Sequence, residues 1–222
     1  MHTRACIFDL DGVIVNTARY HFLGWKRLAN QLNIPFTEKD NERLKGVSRY
    51  ESLDIILELG DMKLTQKQKD EYASLKNKWY IDYISRMTPA EILPGSLQFI
   101  DELKKAGIKV AIGSASKNTP MILKRIGMEK FFDTVADGNV VSKAKPDPEV
   151  FITASKMLKI EPKYCIVFED AIAGVRAAIN AGMMCVGIGS VKILTEAHLV
   201  VSGLDKINLK KLMKLEKIHG YE

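Results

Sequence analysis

Two aspartates two residues apart, Asp9 and Asp11, close the apolar run Ala5-Cys6-Ile7-Phe8 in the stretch FDLDGVIVNT. Alternation along an extended segment turns both carboxylates to the same side. At about 4 Å they would repel by roughly 4 kcal/mol at an effective dielectric near 20, unless a cation or a proton intervenes. A calcium loop needs a third oxygen-bearing residue before the glycine and a late glutamate, and Gly12 follows Asp11 at once. A second acidic pair, Glu169-Asp170, ends the run YCIVFED and opens a helix. Acidic residues in a first turn also suit the helix dipole. Two such pairs at two strand ends point to a hard-cation site, with magnesium as the expected ion.

Two further strand ends carry groups suited to phosphate. The run AIGSASKN places Ser114 and Ser116 between a strand and a helix whose first turn holds Pro120. Hydroxyls and free backbone N–H groups at a helix start accept an anion, although Ser116 or Asn118 also suits a plain helix cap. In SKAKPDPEVF, Pro146 biases Lys145 to an extended backbone, and a fixed ammonium stabilises developing phosphoryl charge.

The elements that must position these groups alternate. Strand-like runs fall at residues 4–9, 108–113, 133–136, 164–168 and 184–189, with helical segments at 96–106, 119–127, 148–158 and 171–181. This βαβα rhythm predicts a mostly parallel sheet covered on both faces, with ligands beyond the carboxyl ends of its strands. Residues 15–92 break the rhythm, with helical periodicity at 18–32, 49–60 and 66–86 and no convincing strand. The expected organisation is therefore a core of residues 1–14 and 93–222 with a helical insertion at 15–92.

Composition narrows the function classes. The chain has 222 residues with 46% hydrophobic content, enough for one core plus an insertion. It shows no apolar run of membrane-spanning length and no secretory pattern, so the expectation is a cytoplasmic protein without a membrane partner. Cys6, Cys165 and Cys185 sit apart in apolar segments and read as buried, reduced and structural. The net charge of +6 raises nucleic acid, but the basic cluster LKKLMKLEKIHG has the spacing of an amphipathic helix with a solvated lysine face. No nucleic-acid partner is expected, and a modest positive field suits a phosphorylated metabolite.

Taken in order, DxDGxxxxT, Ser114, Lys145-Pro146 and Glu169-Asp170 resemble the haloacid dehalogenase superfamily of phosphotransferases over roughly residues 4–200. The resemblance implies an α/β, Rossmann-like parallel sheet with an inserted helical cap. It implies Asp9 as nucleophile, forming an aspartyl-phosphate, and Asp11 as general acid and base. It assigns magnesium to Asp9, the Asp11 carbonyl, Glu169 and Asp170, and the transferring phosphoryl group to Ser114 and Lys145. The cap segment KGVSRYES, with TARYHFLGWKRLA before it, further resembles a sugar-phosphate mutase branch of that superfamily.

By that likeness Lys45, Gly46, Val47, Ser48 and Arg49 hold the phosphate that is not being transferred. Trp25, Ser52, Lys76 and Asn77 line the substrate cavity, and His21 helps set the closed form. Ala115, Ser116, Lys117 and Asn118 contact substrate from the core. The implied partners are a phosphorylated sugar and its bisphosphate, taken up by a monomer. The implied reaction moves phosphate between the 1- and 6-positions of glucose, with hydrolysis of a sugar phosphate as the alternative. Two positions depart from the usual pattern: Asn16 stands where a second acid is frequent, and Ala171 where serine is common.

Overall fold

A computed structural model describes residues 2–44 and 47–219. Strand β1 (Ala5–Phe8) leads into helices α1 (Ala18–Gln31), α2 (Glu38–Asn41), α3 (Arg49–Leu59) and α4 (Gln66–Ile84). The chain then alternates: α5 (Ser96–Lys105), β2 (Lys109–Gly113), α6 (Thr119–Arg125), β3 (Thr134–Ala136) and α7 (Glu149–Leu158). It continues through β4 (Cys165–Glu169), α8 (Ile172–Asn180), β5 (Met184–Ile188), β6 (Leu199–Val201) and α9 (Leu209–Ile218).

The strands form one sheet in the order β3-β2-β1-β4-β5-β6, every pair parallel. Each expected strand is present within a residue or so at its ends. The sequence reading missed β6, whose residues Leu199, Val200 and Val201 are only half-buried. Strands β1, β2, β4 and β5 are nearly continuous apolar runs, as a sheet covered on both faces requires.

Alternation along β1 divides the core. Cys6 and Phe8 join one apolar cluster, with Phe99, Ile112, Phe168 and Leu212, while Ala5 and Ile7 join another, with Phe151, Val167 and Val175. Phe8 pairs in register with Phe168 on β4, and their rings stack at 4.6 Å between centroids. Phe99 on α5 meets the Phe168 ring edge-on at 5.4 Å. This wedge fixes the level at which β1 and β4 end, and so the height at which Asp9 and Glu169 emerge. The expected amphipathic terminal helix is α9, which buries Leu212 and Leu215 and leaves its lysines outside.

Helices α1, α3 and α4 share a third apolar cluster of their own, built on Trp25, Leu28, Phe36, Leu53 and Ile56. Two chain crossings join it to the sheet. Val15 bridges Ile92, Asn16 N–H donates to the Glu91 carbonyl at 3.2 Å, and Leu93 N–H donates to Ile14 at 2.9 Å. We propose these paired crossings as the boundary between a core of 1–14 and 93–222 and a cap of 15–92. The cap does not stand clear of the sheet, because Tyr80, Ile84 and Met87 pack into the first core cluster. Among the described residues no helix is long and apolar enough to cross a membrane.

Phe168→Ala should cost about 3 to 5 kcal/mol, since the aromatic wedge leaves a cavity that the sheet cannot collapse around. Urea unfolding checks this, and a loss under about 1 kcal/mol would show that the wedge does not hold the two strand ends.

Candidate active site

The carboxyl ends of β1, β2 and β4 and the inner faces of α1, α3 and α4 enclose a cavity of about 370 Å³. Asp9 leaves β1 with its N–H still donating to the Phe168 carbonyl at 2.9 Å, so the ladder aims it. Its side chain is buried beside Lys145 and Glu169. Two residues on, Asp11 accepts from the Thr17 hydroxyl. Thr17 occupies the cap position of α1 with helical dihedrals, φ −91° and ψ −11°, and makes no side-chain capping bond there. Gly12 permits the turn between them. Its φ is +82°, and a Cβ there would fall 2.2 Å from the Asp170 carboxylate. Only glycine lets the first motif close against the last.

Lys145 is buried, and its Nζ lies 2.5 Å from both Asp9 Oδ1 and Glu169 Oε1. Burial opposes its charge, yet Asp9 and Glu169 outweigh that and push its pKa well above the ordinary lysine value. Glu169 is held by its other oxygen, which accepts from Ala171 N–H at 2.8 Å. The backbone of Ala171 therefore orients the carboxylate without a side-chain hydroxyl. A Cβ on Gly174 would sit 1.9 Å from the Glu169 carboxyl, so α8 makes room for it.

Burial pushes Asp9 up to about 7, with Glu169 and Asp11 adding to the rise and Lys145 only partly offsetting it. Burial likewise raises Asp11, against the pull of its Thr17 bond. A raised Asp11 suits a proton donor.

Ser114 is buried at the end of β2, its N–H bound to the Ala136 carbonyl at 3.0 Å. Its Oγ accepts from Ser116 N–H, and Ser116 Oγ accepts from Asn118 N–H, each at 3.2 Å. These nested turns carry Ala115, Ser116, Lys117 and Asn118 into the cavity wall.

The cap side is cationic. Ser48 caps α3 by accepting from Glu51 N–H at 3.2 Å, which places Arg49 at the first turn, facing the cavity. Lys76 on α4 is buried between the rings of Trp25 and Tyr80, at 4.5 and 4.8 Å, with its Nζ 3.1 Å from His21 Nδ1. Burial, then repulsion from Arg49, brings Lys76 down to about 7. The same burial, with Lys76 and Arg49 nearby, drives His21 well below its ordinary value. Burial and the two neighbouring cations thus favour the neutral form of His21.

Of the residues expected from sequence, Asp9, Asp11, His21, Trp25, Val47, Ser48, Arg49, Ser52, Lys76, Asn77, Ser114 to Asn118, Lys145, Glu169 and Asp170 all line this one cavity. Lys45 and Gly46 lie outside the described residues. The sequence reading missed Tyr80 and Asn41, which line the same cavity and each keep a buried polar oxygen without a hydrogen-bond partner. Tyr80 was discoverable, one helical turn beyond Lys76 on α4. Nothing in the local sequence marks Asn41.

For a cation, the donor set is suitable in kind: hard carboxylate oxygens on one cavity wall, with Asp9 and Glu169 buried. Among the described residues no three such side chains already stand around a common point. Lys145 already occupies one oxygen each of Asp9 and Glu169.

Comparison with known proteins agrees with this arrangement. A model of the haloacid dehalogenase-like hydrolases matches residues 3–182. A β-phosphoglucomutase of Bacillus subtilis is 44% identical, over 94% of this chain and 93% of its own. The crystal structure of a β-phosphoglucomutase from Clostridium difficile superposes with a TM-score of 0.93 at 39% identity, covering 98% of each chain. A phosphorylated carbohydrates phosphatase of Thermotoga maritima is 31% identical over 81% of this chain and 82% of its own. With its parallel sheet, its helical insertion after the first strand and its acidic, lysine-bridged strand ends, this chain belongs to the haloacid dehalogenase-like hydrolase family.

Proposed function

We propose that the protein is a β-phosphoglucomutase. It interconverts β-D-glucose 1-phosphate and glucose 6-phosphate through an aspartyl-phosphate enzyme and β-glucose 1,6-bisphosphate. The observation that carries this reading is a phosphate-binding group at each end of the cavity. One is Lys145 with Ser114 around Asp9, and the other is Arg49 with Lys76 on the cap. A substrate whose intermediate bears two phosphates needs both ends at once, and a single-phosphate hydrolase needs only the first.

In this mechanism Asp9 Oδ attacks phosphorus and the bond from phosphorus to the sugar or donor oxygen breaks. Asp11 gives its proton to the departing oxygen, and later takes one from the sugar hydroxyl that attacks the aspartyl-phosphate. Ser114 and Lys145 hold the phosphoryl oxygens while charge builds on them. Arg49 grips the other phosphate through its planar fork. The unpartnered oxygens of Tyr80 and Asn41 are available to sugar hydroxyls.

Asp9, the Asp11 carbonyl, Glu169 and Asp170 would hold magnesium, which when bound neutralises carboxylate and phosphoryl charge. Lys145, beside Asp9, is placed to meet a phosphoryl group carried there. The protein would act in the cytoplasm as a monomer on small phosphorylated sugars. Hydrolysis remains the competing reading, favoured by the likeness to the Thermotoga phosphatase.

Two measurements test this. Arg49→Ala should lower turnover on β-glucose 1-phosphate at least about tenfold, the factor that charge-assisted hydrogen bonds of roughly 1.5 to 3 kcal/mol carry. Phosphorylation by acetyl phosphate should change little, because that donor has no second phosphate to anchor, and Arg49→Lys should recover poorly. An equal fall in both reactions, or in neither, favours the phosphatase. Chelation of divalent ions should stop turnover and added magnesium should restore it; full activity in metal-free buffer would remove the metal from the account.

A further inference from the structure

The turn after β3, residues Asp137 to Asn139, touches the substrate loop after β2 without entering the proposed chemistry. Asp137 is buried, and its carboxylate accepts from Asn139 N–H at 2.8 Å and from Asn139 Nδ2 at 3.1 Å. Thus oriented, Asn139 Nδ2 also donates to the Lys117 carbonyl at 3.1 Å. Between them Gly138 lies flush against the loop. A Cβ there would fall 2.5 Å from the Ala115 carbonyl oxygen and 3.0 Å from Lys117 N, both backbone atoms that cannot swing aside.

The loop held in this way reaches across to the cap. Asn118 Nδ2 donates to Asn77 Oδ1 on α4 at 3.3 Å, at the wall of the cavity. Ser114, by contrast, is fixed by the sheet itself through its bond to Ala136. Displacing the loop would therefore loosen the cap contact before it disturbed the phosphoryl end.

We propose that Gly138 and Asn139 are positioning residues that hold Asn118 in register to latch the cap through Asn77. The latch sets how much aspartyl-phosphate goes to sugar and how much to water. This rests on the mutase reading. In both fates an oxygen bonds to phosphorus, the P–O bond to Asp9 breaks, Asp9 departs as a carboxylate, and the attacking oxygen's proton passes to Asp11. A sugar hydroxyl gives bisphosphate and water gives inorganic phosphate. Only closure of the cap distinguishes them.

The test supplies β-glucose 1-phosphate, magnesium and glucose 1,6-bisphosphate, and measures inorganic phosphate formed per glucose 6-phosphate. In Asn139→Ala, Gly138→Ala and Asn77→Ala the ratio should rise about fivefold or more, the factor carried by one net hydrogen bond of about 1 kcal/mol. Asn139→Asp, which lacks the bridging amide N–H, should behave like Asn139→Ala. Phosphorylation of Asn139→Ala by acetyl phosphate should stay within twofold of wild type. Combining Asn139→Ala with Asn77→Ala should add nothing beyond Asn77→Ala, since both break one latch. Asn139 is exposed, so its variants keep the test available if Gly138→Ala does not fold. A wild type that forms glucose 6-phosphate, with ratios within twofold in the Asn139 variants or effects that add to Asn77→Ala, overturns the latch alone. A wild type that forms no glucose 6-phosphate overturns the mutase reading and the latch with it.

Discussion

The carboxylates of Asp9, Asp11, Glu169 and Asp170 face one cavity, two of them nearly solvent-free. Charges so placed are each costly by several kcal/mol unless opposite charge and hydrogen bonds compensate. Much of the surrounding structure can be understood as that compensation. Lys145 reaches between Asp9 and Glu169, the Thr17 hydroxyl donates to Asp11, and the Ala171 N–H turns toward Glu169. Gly12 and Gly174 leave room where any side chain would collide with an acid. Even so burial, with Glu169 and Asp11 adding to it, keeps Asp9 raised to about 7.

The opposite wall is basic. Burial lowers both Lys76 and Arg49, Arg49 lowers Lys76 further, and aromatic rings and His21 surround the Lys76 amine. An acidic wall faces a basic wall across a space of small-molecule size. A magnesium ion at one wall and a phosphate at the other would complement both.

The sequence disclosed the strand ends because each combines a local signal with a chemical group. The apolar run before Asp9, the proline after Lys145 and the strand before Glu169 each announce an element and its terminus. The rhythm also disclosed the helical insertion. What stayed hidden depends on contacts between distant segments. Strand β6 is short and half-buried, so its apolar pattern is weak. Asn41 reaches the cavity only because α2 folds back over it, and Lys145 bridges two acids that no spacing rule joins. Ala171 looked like a lost hydroxyl, whereas the structure needs only its backbone. The two expected phosphate contacts at Lys45 and Gly46 fall outside the described residues.

The account stands on Asp9 as the acceptor of the phosphoryl group. The direct measurement is to charge the enzyme with glucose 1,6-bisphosphate, quench it in acid, digest it and locate the modified residue by mass spectrometry. The account predicts a base-labile phosphate on Asp9, lost in Asp9→Asn. A label on any other residue, or turnover undiminished in Asp9→Asn, would contradict it.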